Sequence, residues 1–192
     1  MIRAIDVGQY IYSKMDWVDA WRLQKLTYYA QAWTLAWTGR ELIEDDFQAW
    51  PDGPVSPRLH QANKFDRDGW YSTAIPGAHP ENLTDEQRTM IDAVLDHYGD
   101  LSKDEIVELV HSEAPWKIAR GGLPAEAKCD AMLSKAGMKR FYAVQQFSGV
   151  DVPAQPRTVQ DVASQNPAEK QLATMMGNCF RWADTLELLA DR

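Results

Sequence analysis

The chain has 192 residues, 45% hydrophobic and 25% charged, with a formal net charge of −8, values of an ordinary globular protein long enough to bury roughly 70% of its unfolded surface. Its acidic balance repels phosphates and so disfavours nucleic-acid binding, which draws affinity from Lys and Arg, while it suits solubility and a basic partner protein. No stretch approaches 18 apolar residues and no signal peptide is evident, so we expect a cytoplasmic protein without membrane association, with Cys129 and Cys179 as buried free thiols.

Ala4 to Lys14 reads as a first helix, with Ile5, Val7, Ile11 and Tyr12 as its apolar set. Asp16 or Asp19 can cap the next helix, which runs to Thr38. Within it Leu23, Leu26, Ala30, Trp33 and Trp37 recur at spacings of three and four, and Tyr28, Tyr29, Leu35 and Ala36 widen that face until little is left for water. Gly39 follows, where a left-handed cap needs a residue without Cβ. A helix apolar on most of its surface is the central helix of a small domain, and the others pack around it. Leu42-Ile43 and Phe47 to Trp50, separated by Glu44-Asp45-Asp46, form either a small hairpin or two extended segments. Gly53 to Pro57 is stiffened by two prolines, which excludes a central strand and makes a rigid corner. Ser56 and Pro57 then supply an N-cap and a first helical residue, with Leu59, Ala62 and Phe65 inward.

Asp66 to Leu83 is loop-like, with a short extended piece at Trp70-Tyr71. Thr84 to Gln87 and Ser102 to Glu105 are capping boxes, in which hydroxyl and N3 side chain satisfy each other's free N–H groups. The helices they start carry Ile91, Val94, Leu95 and Tyr98, then Ile106, Leu109 and Val110, and are expected to form an antiparallel pair. Gly121-Gly122 lets the chain turn. Pro124 starts another helix with Ala127, Met132 and Leu133, which Gly137 separates from a last core helix bearing Met138, Phe141, Tyr142 and Val144. Composition shifts after Phe147, which divides the chain into a helical domain, 1–147, and a linker with a C-terminal amphipathic helix, 148–192. The fold class is therefore mainly α: a compact helical domain around a buried central helix, with room for a small β-hairpin, plus a tethered helix. That last helix starts at Asn166-Pro167-Ala168-Glu169, and places Leu172, Met176, Cys179, Ala183, Leu186 and Ala190 on one stripe with Met175, Trp182 and Leu189 beside it.

Catalytic signatures are absent. No G-x-S-x-G, H-E-x-x-H, Walker lysine loop or G-x-G-x-x-G occurs, and His60, His79, His97 and His111 stand at no established metal-ligand spacing. No cofactor or metal is therefore expected. Adjacent carboxylates at Glu44, Asp45 and Asp46 read as a polar turn rather than a catalytic dyad, and His111, near a helix end, as a capping or packing residue. If the protein were an enzyme, its site would lie around Asp52, His60 or His111.

Leu23-Gln24-Lys25-Leu26, Tyr28-Tyr29-Ala30-Gln31-Ala32-Trp33, Thr38-Gly39-Arg40, Ala49-Trp50 and Gly53-Pro54-Val55 with Pro57 resemble, in this order, the N-terminal signature of the Panacea domain. His111 to Lys117 agrees with a later family segment ending in proline and an aromatic residue. The resemblance covers roughly Ile5 to Phe147 and stops before Ser148. It implies a mostly helical domain, of the kind found in bacteria and phages as the antitoxin of two-gene toxin–antitoxin systems, that binds and neutralises a toxin protein encoded beside it. A minority mode in the family, the delivery of the toxin to a protease as an adaptor, is the alternative, as is a phage-encoded, host-directed binding protein. No catalytic residue carries over. The signature residues Leu23, Gln24, Lys25, Leu26, Tyr29, Ala30, Trp33, Trp50, Gly53, Pro54, Val55 and Pro57 read as fold determinants. Because family toxins are unrelated to one another, specificity is expected outside the shared core, on Leu172, Met175, Met176, Trp182, Leu186 and Leu189; the same face could instead pack back on the core or serve a homo-oligomer.

Overall fold

The computed structural model describes residues 1–124 and 126–156, and among these the chain is mainly α, with seven α-helices and one two-stranded antiparallel sheet. Helix α2 (Ala20–Thr38) is the axis, and every residue from Leu23 to Leu35 is buried. Asp19 starts it, its carboxylate accepting the Trp21 and Arg22 N–H groups at 3.0 Å. Gly39 ends it at φ 72°, its N–H on the Leu35 carbonyl. Five helices pack on α2: α1 (Ala4–Met15), α3 (Pro57–Gln61), α4 (Asp85–Tyr98), α5 (Lys103–Ser112) and α7 (Lys135–Phe147). Between α5 and α7 in sequence lies α6 (Ala114–Arg120), which packs on both. Met1–Gln155 is one compact unit.

A helix buried on all sides must find partners for its polar side chains. Here the partners are backbone groups of the irregular stretch 40–57. Gln31 Oε1 accepts the N–H groups of Leu42 and Ile43 at 2.9 and 2.8 Å, and its Nε2 donates to the Ile43 carbonyl at 3.1 Å. Gln24 accepts the Ser56 N–H at 2.9 Å, and Lys25 Nζ donates to the Pro54 carbonyl at 3.1 Å. Three side chains of one helix thus stand in for a sheet ladder along a segment that has little secondary structure of its own. The opposite side of α2 is aromatic. Tyr29 stacks on Tyr98 with centroids 4.2 Å apart, and the Trp33 indole donates to the Tyr98 hydroxyl at 3.0 Å. The Tyr142 hydroxyl donates to Glu113 at 2.6 Å. Burial pushes the Glu113 carboxyl up to about 7, and that hydrogen bond opposes the rise.

Several expectations need correction. The hairpin lies later than Leu42-Ile43: β1 (Gln48–Trp50) pairs with β2 (Gly53–Val55), Ala49 opposite Pro54. Proline is tolerated because a two-stranded sheet has only edges. No helix starts at Pro124. Instead the Ala131 carbonyl accepts the Ala49 N–H at 2.9 Å and the Leu133 N–H donates to the Phe47 carbonyl at 2.8 Å, so the segment runs beside β1. The buried Arg120 guanidinium fixes the bend before it, donating to the Ala49 and Ala127 carbonyls at 3.1 and 3.0 Å. Gly137 lies inside α7, its N–H on the Ser134 cap, and separates nothing. Phe65 is 60% exposed rather than inward, because α3 passes into a π-helical turn, Ala62–Asp66, that shifts the phase of the side chains. Both capping boxes form as expected, but α4 and α5 pack on α2 rather than chiefly on each other. The C-terminal helix expected beyond Asn166 lies outside the described residues.

Candidate functional site

Trp21, Gln24 and Lys25 fall at i, i+3 and i+4 on one side of α2. That side forms part of the lining of a cleft of about 340 Å³. The α1–α2 connection contributes Trp17 and Val18, the hairpin turn Trp50, Pro51 and Asp52, and α3 with its π-turn His60, Asn63 and Lys64. Arg67 and Trp70 close it from the following loop.

Four tryptophans line this cleft, and the indole N–H groups of three are tied to the fold. Trp17 donates to the Trp70 carbonyl at 3.2 Å and its ring lies 5.3 Å from Tyr71. Trp21 donates to Asp52 at 3.0 Å, with the Lys103 ammonium 4.3 Å above its ring. Trp50 donates to Gln48 at 2.8 Å and meets His60 edge-on at 4.8 Å. The loop carrying Trp70 is held by Arg67, which donates to the Tyr12 hydroxyl and to the carbonyls of Ser72 and Trp70. What remains free is ring surface: Trp70 is 63% exposed and Tyr71 75%.

Lys25 is the unusual group. Its side chain is 1% exposed, and among the described residues its amine has one hydrogen bond, to Pro54, and no carboxylate at ion-pair distance. Burial pushes the amine down to about 7, while Asp52 and Asp19 pull it back up. Gly53 makes room for it: at φ 102° it occupies a region side chains avoid, and a Cβ there would lie 2.6 Å from Lys25 Cε. Lys25 and Gly53, both in the signature, therefore depend on each other sterically.

Of the signature residues, Leu23, Leu26, Tyr29, Ala30, Trp33 and Val55 lie in the core. Gln24, Lys25 and Pro54 form the clasp between α2 and the hairpin, Trp50 lines the cleft, and Pro57 is the first residue of α3. Asp52 and His60 share the cleft, whereas His111 stacks on Trp116 at 4.1 Å. Burial lowers both histidines. The acidic cluster is dispersed: Asp45 accepts the Ala4 N–H and pairs with Arg58, and Asp46 pairs with Lys135. Cys129 is a free thiol, half-buried. Leu172, Met175, Met176, Trp182, Leu186 and Leu189 lie outside the described residues. Sequence reasoning missed Trp17, Trp21 and Trp70 as one surface. The available signal was a lysine in the apolar face of a central helix, four residues after a tryptophan.

Among the described residues no group of His, Cys, Asp and Glu could hold a metal ion, and no helix is long and apolar enough to cross a membrane. The arrangement is suited to binding: apolar walls, a buried lysine amine, and polar groups already engaged at the rim. Residues 23–117 match the protein family described as antitoxin SocA-like, Panacea domain. No curated protein and no solved structure matches the chain.

Proposed function

We propose that this chain, whose residues 23–117 match the SocA-like antitoxin family of the Panacea domain, is an antitoxin that binds and neutralises a toxin protein encoded by an adjacent gene. The family match is the observation that carries this reading. The tryptophan cleft supports it, since exposed, rigid aromatic side chains are the residues that dominate protein interfaces. In this reading the protein acts by contact in the cytoplasm, without catalysis, cofactor or nucleic acid. The helical domain, 1–147, is the folded body and 148–192 a tether with a partner-binding helix. Leu172, Met175, Met176, Trp182, Leu186 and Leu189, an apolar stripe in the sequence, form the variable part of the toxin-facing surface.

The test is growth. Inducing the neighbouring reading frame alone should arrest a bacterial culture, and co-expressing this protein should restore it, with the toxin's lifetime unchanged. A harmless neighbour would defeat the reading. Rescue that depends on faster toxin degradation would replace direct masking with the protease-adaptor mode.

A further inference from the structure

The cleft has a charge pattern opposite to that of the molecule. The chain as a whole carries −8, yet the ionic side chains lining the cleft are Lys25, Lys64 and Arg67 against Asp52 alone. Asp52 is already engaged by the Trp21 indole at 3.0 Å. Lys25 is buried with one carbonyl for three N–H donors, and no counter-ion lies within ion-pair distance among the described residues. A buried amine with donors to spare is satisfied by an acceptor brought in from outside, and an anionic one stabilises its charged form. Around it, the walls are tryptophan rings, and the apolar surface continues past the mouth through Trp70, Tyr71 and Phe65, each at least 60% exposed. A small anion would leave most of that surface uncovered. A polypeptide would cover it.

Backbone geometry adds an independent sign. Asp16, next to Trp17, is the one non-glycine residue at positive φ among the described residues, at φ 57° and ψ −146°. Such a conformation is unfavourable by roughly 1–3 kcal/mol and tends to occur where a side chain must be aimed. The π-helical turn carrying Asn63 and Lys64 forms part of the cleft lining, and such turns are frequent at functional sites.

We propose that this cleft is a docking site of the folded domain for the partner toxin, taking a segment in which an acidic side chain, bound by the Lys25 amine, is flanked by apolar residues that lie on Trp17, Trp50 and Trp70. The proposal rests on the antitoxin reading above and adds to it a contact separate from the C-terminal helix.

Growth rescue and affinity for the purified product of the adjacent gene would be measured for four proteins: wild type, Trp70→Ala, Lys25→Met and, as a control off the cleft, Ile118→Ala. Trp70 and Ile118 are exposed at 63% and 75%, so neither truncation disturbs the core. Lys25→Met keeps the buried stem, and its melting temperature verifies folding. The expected result is at least a tenfold loss of affinity for Trp70→Ala and Lys25→Met, and no loss for Ile118→Ala. Scanning the toxin's acidic residues to alanine should find one that loses as much, and combining it with Lys25→Met should lose no more than either alone. Full affinity in both folded cleft variants, or an equal loss in Ile118→Ala, overturns the docking site while leaving the antitoxin reading intact. A wild-type protein that neither rescues nor binds overturns both. A wild-type homodimer that dissociates on Trp70→Ala assigns the cleft to a second copy and likewise overturns the proposal.

Discussion

Lys25 and Glu113 are perturbed in opposite senses, both to about 7. Their effects on stability follow from linkage. Glu113 is raised from 4.5, so between those values the folded state holds the extra proton and stability falls as pH rises. Lys25 is lowered from 10.5, so above about 7 the unfolded state holds the extra proton and stability rises with pH. Glu113→Gln should therefore flatten a falling limb between pH 5 and 7, and Lys25→Met a rising limb between pH 7 and 9. His60 and His111, both lowered by burial, oppose the Glu113 limb in wild type and variant alike. The quantity to read is thus the difference in melting temperature between wild type and variant across pH, and parallel curves would contradict the account. Gly53 allows a steric test. Gly53→Ala places a Cβ 2.6 Å from Lys25 Cε at a φ of 102°, so we expect a loss of about 2–4 kcal/mol in urea unfolding. Lys25→Ala in the same background should recover part of it, because the closest clash goes while the 3.0 Å approach to Val110 and the backbone strain stay.

At the scale of elements, the chain is organised by what begins and ends each helix. Thr84 accepts the Gln87 N–H at 3.2 Å while Gln87 reaches back to the Thr84 N–H at 3.0 Å. Thr84→Ala should cost about 1 kcal/mol of stability. Asp16 closes α1 with positive φ, so Asp16→Gly should raise the melting temperature, by an amount corresponding to roughly 1 kcal/mol; a lower one would mean that the Asp16 side chain has a role its conformation does not reveal. Local signals of this kind were legible in the sequence. The capping boxes, Gly39 and the all-round apolar α2 announced their elements because each depends on residues within one or two turns. The hairpin, the π-turn and the 121–134 segment were not legible, since the contacts that hold them in place come from afar. Arg120, which sets the path of 121–134, is itself anchored on Ala49, 71 residues away, and Gln24 and Gln31 fix segments 11 to 32 residues away. Half of the site was likewise visible. Lys25, Trp50 and Gly53 stood in the signature, but Trp17 and Trp70 are brought together by contacts between two loops, the indole–carbonyl bond and the ring of Tyr71 among them.

For the whole molecule, a central helix whose buried polar residues hold the stretch 40–57 explains how one signature serves both fold and surface. Gln24, Lys25 and Gln31 fix the backbone of 40–57. That fixed backbone presents Trp50 and Asp52 beside Trp21. Loosening the clasp should therefore impair binding as well as stability. Gln24→Leu removes two hydrogen bonds to Ser56, and the buried Ser56 groups left unsatisfied should cost about 1–3 kcal/mol. It should also weaken partner binding at temperatures where the variant remains folded, and intact affinity in the folded variant would separate the clasp from the surface. The most direct test of the central claim is calorimetric titration of the purified full-length protein with the purified product of the adjacent gene. The account requires a complex with a dissociation constant below about 1 µM, near −8 kcal/mol. Two proteins that stay separate at tens of micromolar would contradict it.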